Sequence, residues 1–134
     1  GDRANYFWPV KSLTEAGALV FYGSDWPAVV PDTNPWPGIE AMISREDPYG
    51  KNPGKYWPEQ AVDLKAALRI FTINGAIAGK QEKTTGSLEA GKRADFIILE
   101  SNIFEIPTAA LSDVQVLQTF VDGEAVFQRV TAGE

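Results

Sequence analysis

The stretch Ala18-Leu19-Val20-Phe21-Tyr22-Gly23-Ser24-Asp25 decides how this chain reads. Five consecutive apolar residues without polar alternation predict a strand at Ala18–Tyr22 buried on both faces, as in a parallel sheet covered by helices. In a parallel β/α barrel, side chains at the carboxyl ends of strands converge on the active site, and Asp25 follows its strand after only a Gly-Ser step. Glycine allows close backbone approach there, and the small serine leaves room beside a carboxylate. The competing reading is structural: Asp25 makes an Asx-type turn into Trp26-Pro27.

Working outward, Pro9 to Ala16 suits a short helix with proline in its first turn, and Gly17 sits where a helix end wants a left-handed residue. From Trp26 to Pro58 prolines and glycines crowd the chain, leaving room for one short helix at about Gly38–Ser44 in an otherwise irregular connection. A connection of that length is usually functional or mobile. Asp63 can cap the next helix, predicted over 63–74, where Leu64, Ala67, Leu68 and Phe71 share one face. After Lys80 the periodicity turns from helical to extended, with a boundary near Lys83–Gly86. Ala94–Leu99 reads as a strand, Pro107–Leu111 as a helical turn, and Val114–Val121 and Glu124–Gln128 as strands flanking Asp122-Gly123. Asp-Gly between two β-rich runs signals a type I′ hairpin. The predicted units are therefore 1–83, with the strand and helix, and 84–134, a small antiparallel β unit.

A chain of 134 residues is too short for an eight-stranded β/α barrel, which takes about 250, so any barrel reading implies a fragment. Twelve Lys and Arg against eighteen Asp and Glu give a net charge of −6, and no basic, aromatic-laced surface segment occurs; nucleic acid is excluded as an expected partner. No apolar run approaches the ~18 residues of a membrane span, and the start at Gly1 lacks the order of a signal peptide. Gly1 in place of methionine reads as a chain cut or begun mid-gene, or as an expression scar. With no cysteine there is no disulfide framework; localisation stays open, leaning cytoplasmic. With no histidine there is no Ser-His-Asp triad, and no phosphate-cradling GxxxxGK[ST] loop occurs.

Taken together, Gly23-Ser24-Asp25-Trp26-Pro27, Trp57-Pro58-Glu59-Gln60, Ala66-Ala67-Leu68-Arg69 leading to Thr72-Ile73-Asn74-Gly75-Ala76, and Gly86-Ser87-Leu88-Glu89-Ala90-Gly91-Lys92-Arg93-Ala94-Asp95 resemble the amidohydrolase superfamily. The likeness is greatest to its YtcJ-like branch, which includes formamide deformylases, and runs in order from about Leu13 to Gln128. It implies an α/β fold: the C-terminal fragment of a (β/α)8 barrel, its last strand and helices, plus part of a small antiparallel β-sandwich built from both ends of a longer chain. It implies hydrolysis of carbon–nitrogen bonds other than peptide bonds in a small-molecule substrate. It makes Asp25 a metal ligand and general base that takes a proton from a metal-bound water, whose pKa a divalent cation such as zinc lowers toward about 7.

The His-x-His pair, the bridging carboxylate or lysine and the later histidines of the superfamily have no counterpart among these residues. A lone carboxylate does not hold zinc, which as a rule takes at least three protein ligands. The expectation is therefore a divalent metal, zinc, in the intact enzyme, none in this chain alone, and no activity in the isolated fragment. A strand without neighbours should self-pair, which predicts a homo-oligomer or swapped assembly. The alternatives are a non-catalytic regulatory or binding protein on an amidohydrolase-like scaffold, and a self-standing small α/β protein. Among the other residues, Asp95 is expected to accept backbone N–H bonds and Arg45-Glu46-Asp47 to be solvated. Trp26, Trp36, Tyr49, Tyr56 and Trp57 are expected either to pack the long loop or to line a pocket.

Overall fold

The computed structural model describes residues 1–130; residues 131–134, the tail of the predicted second unit, lie outside the described residues. The element order is α1 (Val10–Glu15), α2 (Trp36–Ser44), α3 (Leu64–Phe71), α4 (Ile73–Ala78), β1 (Phe96–Leu99), β2 (Val116–Val121) and β3 (Glu124–Gln128). Short 3₁₀ turns lie at Asp2–Tyr6, Pro58–Gln60 and Thr108–Asp113.

Local chemistry accounts for most of these elements. α1 stops where Gly17 turns left-handed at φ 80, with Ala18 N donating to Leu13 O at 3.0 Å. α2 starts at Trp36, two residues earlier than the breakers suggest, because Pro37 fits a first helical turn. The Asp63 side chain caps α3 by accepting from Ala66 N at 2.7 Å. The helix predicted over 63–74 breaks at Thr72 (φ −127°, ψ −95°) and restarts as α4. There the Thr72 hydroxyl donates to Leu68 O at 2.6 Å, a back-bond of the kind that bends helices.

The strand predicted at Ala18–Tyr22 joins no sheet among the described residues. The segment is fastened to the helices instead: Tyr22 N donates to Ile70 O at 3.3 Å, and Asn74 Nδ2 donates to Val20 O at 2.7 Å. A parallel strand draws its ladder from neighbouring strands, and none of the described residues supplies one. Leu19 and Phe21 are accordingly exposed, against the predicted burial on both faces.

β1, β2 and β3 form one antiparallel sheet in that order, with Phe96 opposite Phe120 and their rings stacked at 4.5 Å. The hairpin is as its Asp-Gly pair predicts, with φ 52 at Asp122 and φ 83 at Gly123. β1 starts at Phe96 rather than Ala94. β2 starts at Val116 rather than Val114, whose side chain is buried in the core. That core joins Trp36, Ile39, Val62, Ala67, Leu111 and Val114, so it draws on both sides of the boundary predicted near Lys83–Gly86. The buried Glu40 carboxylate accepts from Ser112 N at 2.8 Å and pins α2 to the Thr108–Asp113 turn.

Candidate functional site

Asp25 follows the 18–22 segment, which two hydrogen bonds fasten to the helices. Tyr22 is level with Ile70 and Val20 with Asn74, so the segment runs antiparallel to residues 70–74.

The turn at Asp25 is not an Asx turn. Ser24 Oγ accepts from Trp26 N at 3.2 Å, while the backbone oxygen of Asp25 accepts from Ala28 N at 2.8 Å. Asp25 itself is left-handed at φ 54, a conformation aspartate tolerates. Its carboxylate is exposed and has no hydrogen bond or ion pair to any described residue. Two shallow clefts, one at Ile43, Leu64, Ile106 and Leu111 and another at Lys11, Glu15, Val62 and Ala66, both exclude Asp25.

Below it, the Tyr22 ring stacks on Phe71 at 4.0 Å. A Cβ on Gly38 would lie 2.9 Å from the Tyr22 hydroxyl, so glycine is what lets α2 approach this pair. Burial, and then the neighbouring Tyr49, raises the pKa of Tyr22 and keeps its hydroxyl protonated. Burial followed by Asp32 and Asp47 does the same for Tyr49.

Arg45 is buried, against the expectation that Arg45-Glu46-Asp47 is solvated. Its backbone is left-handed at φ 59, its Nε donates to Tyr56 O at 2.9 Å and its carbonyl accepts from Tyr56 N at 2.7 Å. The pair closes the neck of a loop over residues 46–55. Inside, Asp47 accepts from Tyr49 N at 2.9 Å and from Asn52 N and Nδ2 at 3.0 and 2.8 Å. These donors, the Tyr49 amide foremost, hold the Asp47 carboxyl below the usual carboxylate range.

The aromatics divide. Trp36 is core, while Trp26, Tyr49 and Tyr56 are exposed. Trp57 meets Phe7 at 5.6 Å and Phe7 stacks on Trp8 at 4.9 Å. Phe7 and Trp8 were not singled out by sequence; the signal was an aromatic pair directly before the helix-starting Pro9.

The Gly86–Asp95 segment is structural. Gly86 (φ 89) packs on Ala76, and Lys92 Nζ donates to Ser87 Oγ at 2.6 Å and pairs with Glu89 at 3.0 Å. The Ser87 hydroxyl and then Lys92 lower the Glu89 pKa. Asp95 accepts from Asp122 N at 2.9 Å and from the Thr85 hydroxyl at 3.2 Å, tying this segment to the hairpin.

The profile of the amidohydrolase family matches residues 2–127. The chain belongs to the amidohydrolase family. It is 35% identical over 122 residues to the N-substituted formamide deformylase of Arthrobacter pascens, covering 91% of this chain and 22% of the deformylase. To the putative amidohydrolase YtcJ of Bacillus subtilis it is 27% identical over 128 residues, covering 96% of this chain and 24% of YtcJ. The chain thus spans under a quarter of the length of these amidohydrolases. Its fold resembles an amidohydrolase from Thermotoga maritima with a TM-score of 0.67 at 21% identity, covering 94% of this chain and 26% of that one. An enamidase of the amidohydrolase superfamily gives a TM-score of 0.61 at 20% identity, covering 96% and 31%.

The metal that an amidohydrolase implies does not fit within these residues. Among the described residues no three His, Cys, Asp or Glu side chains come together so as to hold an ion, and the sequence has no histidine. Asp25 offers one ligand where a stable site takes at least three. No helix among the described residues is long and apolar enough to cross a membrane.

Proposed function

We propose that these residues are the C-terminal part of a metal-dependent amidohydrolase that cleaves carbon–nitrogen bonds other than peptide bonds, in amides, formamides or cyclic amides. In this reading 18–22 is the last strand of a (β/α)8 barrel and β1–β3 are one portion of a composite β-sandwich. The other strands and the remaining ligands of a divalent metal, zinc by preference, come from outside these 134 residues. The isolated chain is inactive.

The observation that carries the proposal is the state of Asp25: a carboxylate with no partner among the described residues, on a left-handed turn, beyond a segment that joins no sheet among the described residues. A residue serving only its own turn would spend its oxygens there, and Ser24 makes that contact instead. In the intact enzyme the Asp25 carboxylate takes a proton from the attacking water as the O–C bond forms. It then delivers that proton to the nitrogen as the C–N bond breaks, so the amine leaves neutral.

The test is hydrolysis by the longer protein containing this chain, supplied with zinc, on N-alkyl formamides, simple amides and cyclic amides. Turnover of at least one class, and none by the 134-residue chain, is the expected result. A zinc-loaded protein that cleaves none of them overturns the proposal in favour of a non-catalytic binding protein.

A further inference from the structure

We propose that the Arg45 guanidinium binds a carboxylate supplied from outside these 134 residues, held end-on by its two terminal nitrogens. Burial and bonding carry this inference, independently of the reading of Asp25.

Arg45 is 8% exposed, and a buried charge costs free energy unless an opposite charge compensates it. Chain added to these residues can bury it further but cannot expose it in this conformation. Among the described residues its side chain makes one hydrogen bond, from Nε to Tyr56 O at 2.9 Å, and a carbonyl brings no net charge. The ion pairs of the described residues join Lys11 to Glu15, Lys55 to Glu46, Lys92 to Glu89 and Arg93 to Asp122, and leave Arg45 out. Burial accordingly lowers the Arg45 pKa, and Glu59, which makes no ion pair with it, offsets that only in part. The guanidinium nevertheless stays a cation.

Geometry selects the ligand. The side-chain atoms sealed from solvent without a partner among the described residues are Trp36 Nε1, Glu82 Oε2 and Ser112 Oγ, so the Arg45 Nη atoms remain within reach of a ligand. With Nε taken by Tyr56, the side-on approach is closed and the two Nη groups remain. Their parallel N–H bonds match the two oxygens of a carboxylate. One negative charge balances the guanidinium, whereas a phosphate dianion would add surplus negative charge in the field of Glu59. The fork is also held in place: Arg45 is left-handed at φ 59, and its carbonyl accepts from Tyr56 N at 2.7 Å. A group oriented in advance loses little freedom on binding.

The test uses the longer protein containing this chain, crystallised once from sodium acetate and once from sodium chloride alone. A carboxylate on both Arg45 Nη atoms in both crystals is expected if the partner is a side chain of the longer protein. Acetate there in the first crystal only is expected if the partner is a free small carboxylate. In that case Tm must rise with acetate at fixed ionic strength, saturably and by at least about 1 °C, and Arg45→Lys, which keeps the charge but not the fork, must lose the rise. Acetate in the crystal without that Arg45-dependent rise is an adventitious additive only and overturns the proposal. Terminal nitrogens that meet only water or backbone carbonyls in both crystals overturn it as well.

Discussion

At the scale of single residues, Gly86 leaves no room for a side chain. Its φ is 89, and a Cβ would lie 2.6 Å from Ala76 Cβ and 3.1 Å from Ile73 Cα, both on α4. Gly86→Ala is expected to destabilise the fold by about 3 kcal/mol, from left-handed strain plus overpacking, as read by urea unfolding. Asp25→Asn is expected to change stability by less than about 0.5 kcal/mol, because no described residue bonds to that carboxylate. Single residues were legible in sequence where their role follows from position along an element, as with Asp95, which accepts the Asp122 N–H after its glycine turn. Arg45 was not, because nothing in Arg-Glu-Asp reveals that a left-handed φ turns the guanidinium inward to Tyr56.

Among the elements, the 46–55 loop owes its order to one carboxylate. The Asp47 carboxyl is held below its ordinary value, so its contribution is fully present above the unfolded pKa of about 3.9 and is lost as pH falls through the lower folded value. Hydrogen exchange should therefore show the Tyr49 and Asn52 amides protected at neutral pH, losing protection only below about pH 4. Asp47→Ala should lose that protection at every pH; unchanged exchange in the variant would count against this account. Periodicity and turn chemistry exposed α3 and the β2–β3 hairpin in advance, since both are settled within a few residues. The strand expected at 18–22 does not form among the described residues, because pairing depends on neighbours that a local pattern does not contain. The break at Thr72 hid for a related reason: its hydroxyl competes for Leu68 O inside an otherwise unbroken helical pattern.

For the whole molecule, the accessible surface is 9336 Å², whereas a compact monomer of 14.6 kDa exposes about 6,900 Å². Leu19, Phe21, Trp8, Val126 and Phe127 are among the apolar side chains left open. The 134-residue chain on its own is expected to self-associate, as a homo-oligomer or swapped assembly, and light scattering that finds only monomer would contradict this. The proposed amidohydrolase, with 18–22 as its last strand and Asp25 just beyond it, would account for both the uncovered surface and the unpaired carboxylate, and the second can be tested in isolation. The decisive measurement is kcat for amide hydrolysis by the zinc-loaded longer protein and its Asp25→Asn variant, taken beside their Tm values. The account expects kcat to fall by at least about 10³-fold at unchanged Tm; a variant that keeps its activity within about twofold would contradict it.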